Sequence, residues 1–392
     1  MDSYFLLFGN CPELSLLESL AFFSQDKICL LKKNLALISS PTDLKLINSQ
    51  IAGTVKILKL ITQQNSQQLI ENSLIDHLLT YPSNKKIILS LNNSFNHHPL
   101  DGLLIKKKLK GKLKIRLVFG QNFGVSSGYF LHHQIEEFFY IQDKEKFYLA
   151  KVISNQDVNN FVARDRQKPY AQREKGMLSP KLSLMMINAS LALYNQQFKK
   201  ASSSKKILTV LDPFCGSGTI LFEALLRKFD VIGSDLDPKA TLGCQKNLDW
   251  FNNRYQYQKK QQIFTLDALK LGDKLETNSI DLIITEPFLG KQNSNNNNNY
   301  DNIFLGLEKL YLGFFKEIRK ILAKKNLITI VFPKVKTKNK IFSLERLLPK
   351  LEQLQFKQVN PPINYHHPRA IVEREIYFFS FQPMEILIPL KK

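Results

Sequence analysis

The residues with the clearest chemistry lie in one run, Val210-Leu211-Asp212-Pro213-Phe214-Cys215-Gly216-Ser217-Gly218-Thr219. An apolar stretch ends on Asp212, glycines follow, and a helical pattern opens at Thr219. Glycines in such a turn let the backbone pass close beneath a nucleoside with no Cβ in the way. The helix start offers unpaired N–H groups to a carboxylate. A phosphate-binding P-loop needs Gly-Lys-Ser/Thr, which does not follow here, and a dinucleotide fingerprint wants a small residue where Leu221 stands. A pyrophosphate would also not welcome Asp212. A ligand carrying an ammonium group, such as the methionine part of S-adenosylmethionine, suits that carboxylate better.

Two more acids follow at fitting places. Asp235 closes the next apolar stretch, about 20 residues after the glycines, where a carboxylate can accept both ribose hydroxyls. Asp267, with Ala268 beside it, follows the third stretch and can take an adenine amino group. Phe214, Gly216, Gly218 and Thr219 complete the expected cofactor set. A lone acid at such a position is most often a helix cap or a solvated turn. Three in register with one glycine turn weaken that reading.

A fourth apolar stretch ends in Thr285-Glu286-Pro287-Phe288-Leu289-Gly290. Transfer to an exocyclic amine needs an acceptor that holds the NH₂ group and an aromatic face that stacks on the extruded base. Glu286, the Pro287 carbonyl and Phe288 can supply those parts. The plain alternative is a capping acid followed by a proline and a core phenylalanine. Cys215 sits in the cofactor turn, where a nucleophile could not reach a base ring, and reads as a packed thiol. His366 and His367 are adjacent, without the spacing of metal ligands, and read as loop residues. The four cysteines form no CxxC pair, so no zinc site or disulfide framework is expected.

These pieces need strands and helices to hold them. Strands are expected at 207–211, 231–234, 262–265, 280–285 and 327–332, with helices at 179–194, 219–228, 238–250, 302–323 and 343–354. That alternation indicates a parallel, doubly wound sheet. Two closing strands are expected at 356–363 and 370–381. The first 154 residues read as mixed α/β: strand, helix and strand over 4–41, then strands at 87–90, 113–119 and 147–153. Residues 155–176 are polar and aperiodic, and read as a linker or a functional loop. The asparagine run 295–299 reads as a polar loop without chemistry.

Lys and Arg outnumber Asp and Glu by 55 to 34, a formal charge of +21. Such a surplus favours a polyanionic partner, since each neutralised phosphate releases a counterion. Lysine-rich codon usage gives the same excess, but only 10 of these residues are Arg, and Arg164, Arg166 and Arg173 fall within one short segment. With Lys168 they are the expected contacts to phosphates. No secretory signal and no apolar run of about 18 residues is apparent, so a cytoplasmic protein with no membrane span is expected.

Residues 155–381 resemble the catalytic domain of the THUMP-associated RNA methyltransferases, in the branch that makes N2-methylguanosine in tRNA. The resemblance rests on Arg164-Asp165-Arg166 with Lys168-Pro169, on Gly176-Met177-Leu178-Ser179-Pro180-Lys181-Leu182, on Asp212 to Thr219, and on Gly233-Ser234-Asp235. Residues 1–155 resemble the family's N-terminal half more loosely, through length and Phe123-Gly124-Val125-Ser126. The resemblance implies a class I (Rossmann-like) methyltransferase with a doubly wound seven-stranded sheet, preceded by an α/β THUMP-like region. It implies a small α/β domain at 1–48, a THUMP-like RNA-binding domain at 49–155, an RNA-contacting linker at 156–178, and an S-adenosylmethionine-dependent domain at 179–392. The family's fourth motif usually reads Asp-Pro-Pro-Tyr-Gly, whereas this chain has Glu286-Pro287-Phe288-Leu289-Gly290. Two alternatives stay open: a DNA amino methyltransferase, and a cofactor- and RNA-binding protein impaired in catalysis.

Overall fold

The computed structural model describes residues 2–83, 85–96, 98–121, 123–171, 177–198, 207–257, 260–290, 299–366 and 370–383. Arg173, Gly176, His367 and most of the asparagine run lie outside these residues. The chain divides into two units, Met1–Val162 and Ala163–Lys392.

The first unit is built on one eight-stranded sheet: β1 (Asp2–Phe8), β2 (Ile28–Lys32), β3 (Leu35–Ser40), β4 (Thr54–Gln64), β5 (Lys86–Phe95), β6 (Lys114–Val118), β7 (Ile135–Asp143) and β8 (Lys146–Asn155). Their order is β2-β3-β1-β4-β8-β7-β5-β6, and only the pairs β5–β6 and β5–β7 are parallel. After helix α1 (Pro12–Ser19) the chain makes a β2–β3 hairpin, so the expected strand, helix and strand gains one strand. Helix α2 (Gln67–Leu79) starts where Ser66 accepts the Leu69 N–H. Its Ile70, Leu74 and Leu78, four apart, fall on one face and enter the core with Phe138 and Tyr140. Short helices α3 (Gly102–Lys108) and α4 (Ser127–His132) complete the set. The boundary expected near residue 48 falls inside this sheet, because β1 pairs with β4 across it.

Helix α5 (Val158–Arg166) occupies the segment expected to be aperiodic. Polar side chains hide its period, since its mean character is far from apolar. Helix α6 (Pro180–Phe198) follows, with Ser179 accepting the Leu182 N–H as expected of an N-cap.

The second unit carries β9 (Thr209–Asp212), α7 (Thr219–Leu226), β10 (Asp230–Asp235), α8 (Pro238–Tyr255), β11 (Gln261–Thr265), β12 (Ile280–Thr285), α9 (Tyr300–Ile318), β13 (Leu322–Lys336), β14 (Ile341–Phe342), α10 (Leu348–Gln353), β15 (Phe356–Tyr365) and β16 (Val372–Phe381). Strand order is β11-β10-β9-β12-β13-β16-β15, with β14 pairing on β13. The first five are parallel, and β16 runs antiparallel between β13 and β15. The expected seven-stranded, doubly wound sheet is therefore present. Two expected helices are shorter than their sequence pattern. The one expected over 302–323 stops at Ile318 because Leu322 is already paired with Ile280 in the sheet. The one expected over 343–354 breaks into a 3₁₀ turn and α10, with Pro349 in the first turn, where its missing N–H is tolerated.

Candidate active site

Counting outward from β9, one set of strands runs through β10 to β11 and the other through β12 to β13. A crevice forms at the carboxyl ends of strands where such an order reverses. Asp212 ends β9 at that point and Thr285 ends β12, and the Thr285 hydroxyl donates to Asp212 Oδ1 at 2.7 Å. The Phe214 N–H donates to the same oxygen at 3.2 Å. Asp212 is only 2% exposed. Burial pushes its carboxyl up to about 7, against the pull of those two hydrogen bonds, and the nearby Asp235 and Glu286 charges add to the rise.

The turn after β9 takes a path that only glycine follows easily. Gly216 has φ +49° and Gly218 has φ +84°, and a Cβ on Gly218 would stand 2.7 Å from Cys244 Sγ. A Cβ on Gly216 would meet nothing within 4 Å, so the space over that residue is open. Asp235 braces the turn: Oδ2 accepts the Gly216 N–H and Oδ1 the Asp237 N–H, both at 3.0 Å. Each oxygen keeps a lone pair, and the residue remains partly exposed. Asp267, after β11, is likewise partly exposed and accepts the Leu269 N–H at 2.9 Å, with Ala268 buried beside it. Phe214 packs edge-on against Phe314 with centroids 5.5 Å apart. Leu236, which sequence reading passed over, is 71% exposed next to Asp235. An apolar residue directly after a strand-ending acid is the signal that would have flagged it.

Two of the acids thus end the adjacent strands β9 and β10, and Asp267 follows the end of the next strand, β11. Gly218 caps α7 without any side-chain hydrogen bond, leaving the first N–H groups of the helix free of a side-chain cap. Acceptors for an ammonium, a ribose and an amino group, with donors for a carboxylate, fit S-adenosylmethionine.

At the end of β12, Glu286 is clasped by Arg374 of β16, Nε to Oε1 at 2.5 Å and Nη2 to Oε2 at 3.4 Å. Burial works against the Arg374 charge, but the Glu286 carboxylate outweighs it and holds the guanidinium above its ordinary value. Arg374 was not legible from sequence, because it lies 88 residues downstream. Pro287 is buried, whereas the Phe288 ring is 56% exposed and its carbonyl accepts the Tyr311 hydroxyl at 3.1 Å. The exposed ring departs from the core role that a phenylalanine at a strand end usually takes.

The basic cluster before α6 is a correction. Arg164 and Lys168, expected to meet phosphates, are buried. Arg164 makes a two-point pair with Glu223 of α7, at 2.6 and 3.1 Å, and Glu223, raised by burial, is drawn back by that charge. Lys168 Nζ donates to the Ser217 and Thr219 hydroxyls at 3.1 and 3.0 Å. The Tyr170 backbone N–H donates to Asn247 Oδ1 and its carbonyl accepts from Asn247 Nδ2, which also donates to the Ser217 carbonyl. Through Arg164, Lys168 and Tyr170 the segment is strapped onto α7 and α8, so these side chains are spent inside the fold. Of the expected contacts, Arg166 is exposed.

In the first unit a cavity of about 890 Å³ lies along β5, β6 and α3, bordered by Lys85, Lys86, Lys106, Lys107, Lys110 and Lys114 with Arg116. Its acid, Glu136, is already engaged by Lys151 at 2.7 Å. Among the described residues no three His, Cys, Asp or Glu are grouped to hold a metal ion, and no helix is long and apolar enough to cross a membrane.

A parallel sheet with one antiparallel strand inserted next to last, carrying a glycine turn at its switch point, defines a class I methyltransferase fold. Residues 186–365 match the model of a family described as RMKL-like, methyltransferase domain. A tRNA (guanine(10)-N2)-dimethyltransferase from Methanothermobacter thermautotrophicus is 30% identical over 194 residues, 48% of each chain. A tRNA (guanine(10)-N2)-dimethyltransferase from Methanocaldococcus jannaschii is 27% identical over 146 residues, 37% of each chain. The chain thus matches about half the length of the first of these relatives or less. The crystal structure of TrmN from Thermus thermophilus superimposes with a TM-score of 0.56 at 13% identity, covering 97% of this chain and 100% of that one. That likeness extends the shared fold to both units.

Proposed function

We propose that this protein is a cytoplasmic, S-adenosylmethionine-dependent RNA methyltransferase that acts on the exocyclic N2 of a guanosine in tRNA. The observation that carries the reading is the buried Thr285–Asp212 hydrogen bond, which ties the strand end that leads into Glu286 to the strand end that leads into the glycine turn. Asp212, Asp235 and Asp267 hold the cofactor, with Phe214, Gly216, Gly218, Thr219 and Ala268 shaping its bed. S-adenosylmethionine supplies an activated methyl group on a sulfonium. Glu286, positioned by Arg374, spends one lone pair per oxygen on the guanidinium and keeps another for the N–H of the target amine. Phe288 offers its exposed face to the base. No strong base is required, since the amine sheds its proton readily only after it has gained the methyl group. Positioning and electrostatics account for the rate.

The N-terminal unit supports the RNA reading through its seven-cation cavity, which takes over the role expected of Arg164 and Lys168. Within its one sheet, residues 49–155 contribute the strands read as THUMP-like and residues 1–48 the β2-β3-β1 edge. A second reading has one observation in its favour: Glu286 already has a full partner in Arg374, as in a binding protein without turnover. Incubation with methyl-labelled cofactor and total tRNA, rRNA or DNA, followed by mass spectrometry of the nucleosides, tests both. N2-methylguanosine in tRNA is expected. Label in DNA alone, or tight cofactor binding with no transfer to any of the three, refutes the proposal.

A further inference from the structure

Lys168 is 6% exposed, yet it forms no ion pair with any described residue. A buried ammonium is costly unless an opposite charge compensates it. Its hydrogen-bond partners among the described residues are two hydroxyls, those of Ser217 and Thr219, and its only other neighbour of note is the Phe222 ring, 6.0 Å from Nζ to centroid, so no described carboxylate takes its third N–H. Both hydroxyls belong to the turn that opens α7, whose Gly218 cap contributes no side chain and whose first turn holds no acid. Burial pulls the Lys168 ammonium below the ordinary lysine range, with Asp165 and Glu223 opposing from a distance. The same turn follows Asp212, a buried carboxyl whose partners among the described residues are a hydroxyl and a backbone N–H, not a cation. Two buried ionisable groups of opposite sign, neither with a counter-charge bonded to it among the described residues, therefore flank one glycine turn.

We propose that Lys168, together with the uncapped start of α7, is the carboxylate subsite of a trap for an amino-acid zwitterion whose other jaw is Asp212. The ligand satisfies both jaws at once: its ammonium goes to Asp212 and its carboxylate to Lys168 and the α7 N–H groups. Lys168 thereby becomes a cofactor-binding residue rather than an RNA contact. The inference rests on the S-adenosylmethionine reading and adds what selects the methionine end of that molecule.

Three ligands separate the two ideas in calorimetry with the full chain. S-adenosylhomocysteine has both charges, decarboxylated S-adenosylmethionine keeps the ammonium alone, and methylthioadenosine has neither. Wild-type protein should prefer S-adenosylhomocysteine over methylthioadenosine by more than tenfold. Lys168→Met should weaken S-adenosylhomocysteine about 10- to 100-fold, the range of one charge-assisted contact. It should leave the other two ligands within about twofold, and Lys168→Arg should recover most of the loss. Equal weakening of all three by both variants, or no weakening of S-adenosylhomocysteine, overturns the proposal. If wild-type protein binds none of the three, the cofactor reading itself has failed.

Discussion

Replacing Asp212 by Asn should change how stability depends on pH, by an amount the structure sets. The folded carboxyl is raised to about 7 from 3.8. Between those values the folded chain holds a proton that the unfolded chain has released, so stability falls as pH rises. Each unit is worth about 1.4 kcal/mol, which makes the full loss about 4 kcal/mol and the part between pH 5 and pH 8 about 3 kcal/mol. Asn keeps an oxygen for the Thr285 hydroxyl and the Phe214 N–H but has no proton to lose. Asp212→Asn should therefore gain on wild type by about 3 kcal/mol from pH 5 to pH 8. Urea unfolding followed through Trp250, the single tryptophan, reads the second unit directly, since that residue lies on α8. Saturating S-adenosylhomocysteine should flatten the wild-type slope, because its ammonium takes the place of the held proton. Parallel curves for the two proteins, within about 0.5 kcal/mol across that range, would refute the reasoning.

Arg164→Met should cost about 3–5 kcal/mol by stranding Glu223, leave RNA affinity unchanged, and be largely relieved by adding Glu223→Leu. Denaturation and RNA titration of the three proteins check it. Alanine at Lys106, Lys107 and Lys110 together should lower the slope of log affinity against log salt by roughly 2–3, measured by filter binding with tRNA. Phe288→Ala should lose at least roughly 100-fold in turnover with cofactor affinity intact, while Phe288→Tyr keeps most of the activity; single-turnover kinetics distinguish them.

The turn from Asp212 to Thr219 was readable because its geometry is local: the glycines, the strand-ending acid and the helix start are contiguous in the chain. The alternation of apolar strands and helices made the sheet readable for the same reason. What escaped depends on distant partners. Arg164 and Lys168 sit in a polar segment, and polarity normally means exposure, but Glu223 is 59 residues away and Thr219 is 51 away. Charged residues that are mutually satisfied, or held for a ligand, look in sequence like a solvated face. Arg374 escaped likewise, and so did the end of α9, which was decided by sheet pairing rather than by its own helical pattern.

The clasp between Glu286 and Arg374 joins β12 to β16, the strand that enters the sheet between β13 and β15 only after both have been made. Synthesis proceeds from the N-terminus, so a growing chain acquires its glycine turn and Glu286 long before it acquires the arginine that steadies that carboxylate. Closing a loop of this length is slow compared with forming the helices and neighbouring strands. The clasp on Glu286 is thus completed last, when β16 takes its place in the sheet. A chain that stops short of Arg374 would carry the whole glycine turn and Glu286 but leave that carboxylate without its clasp.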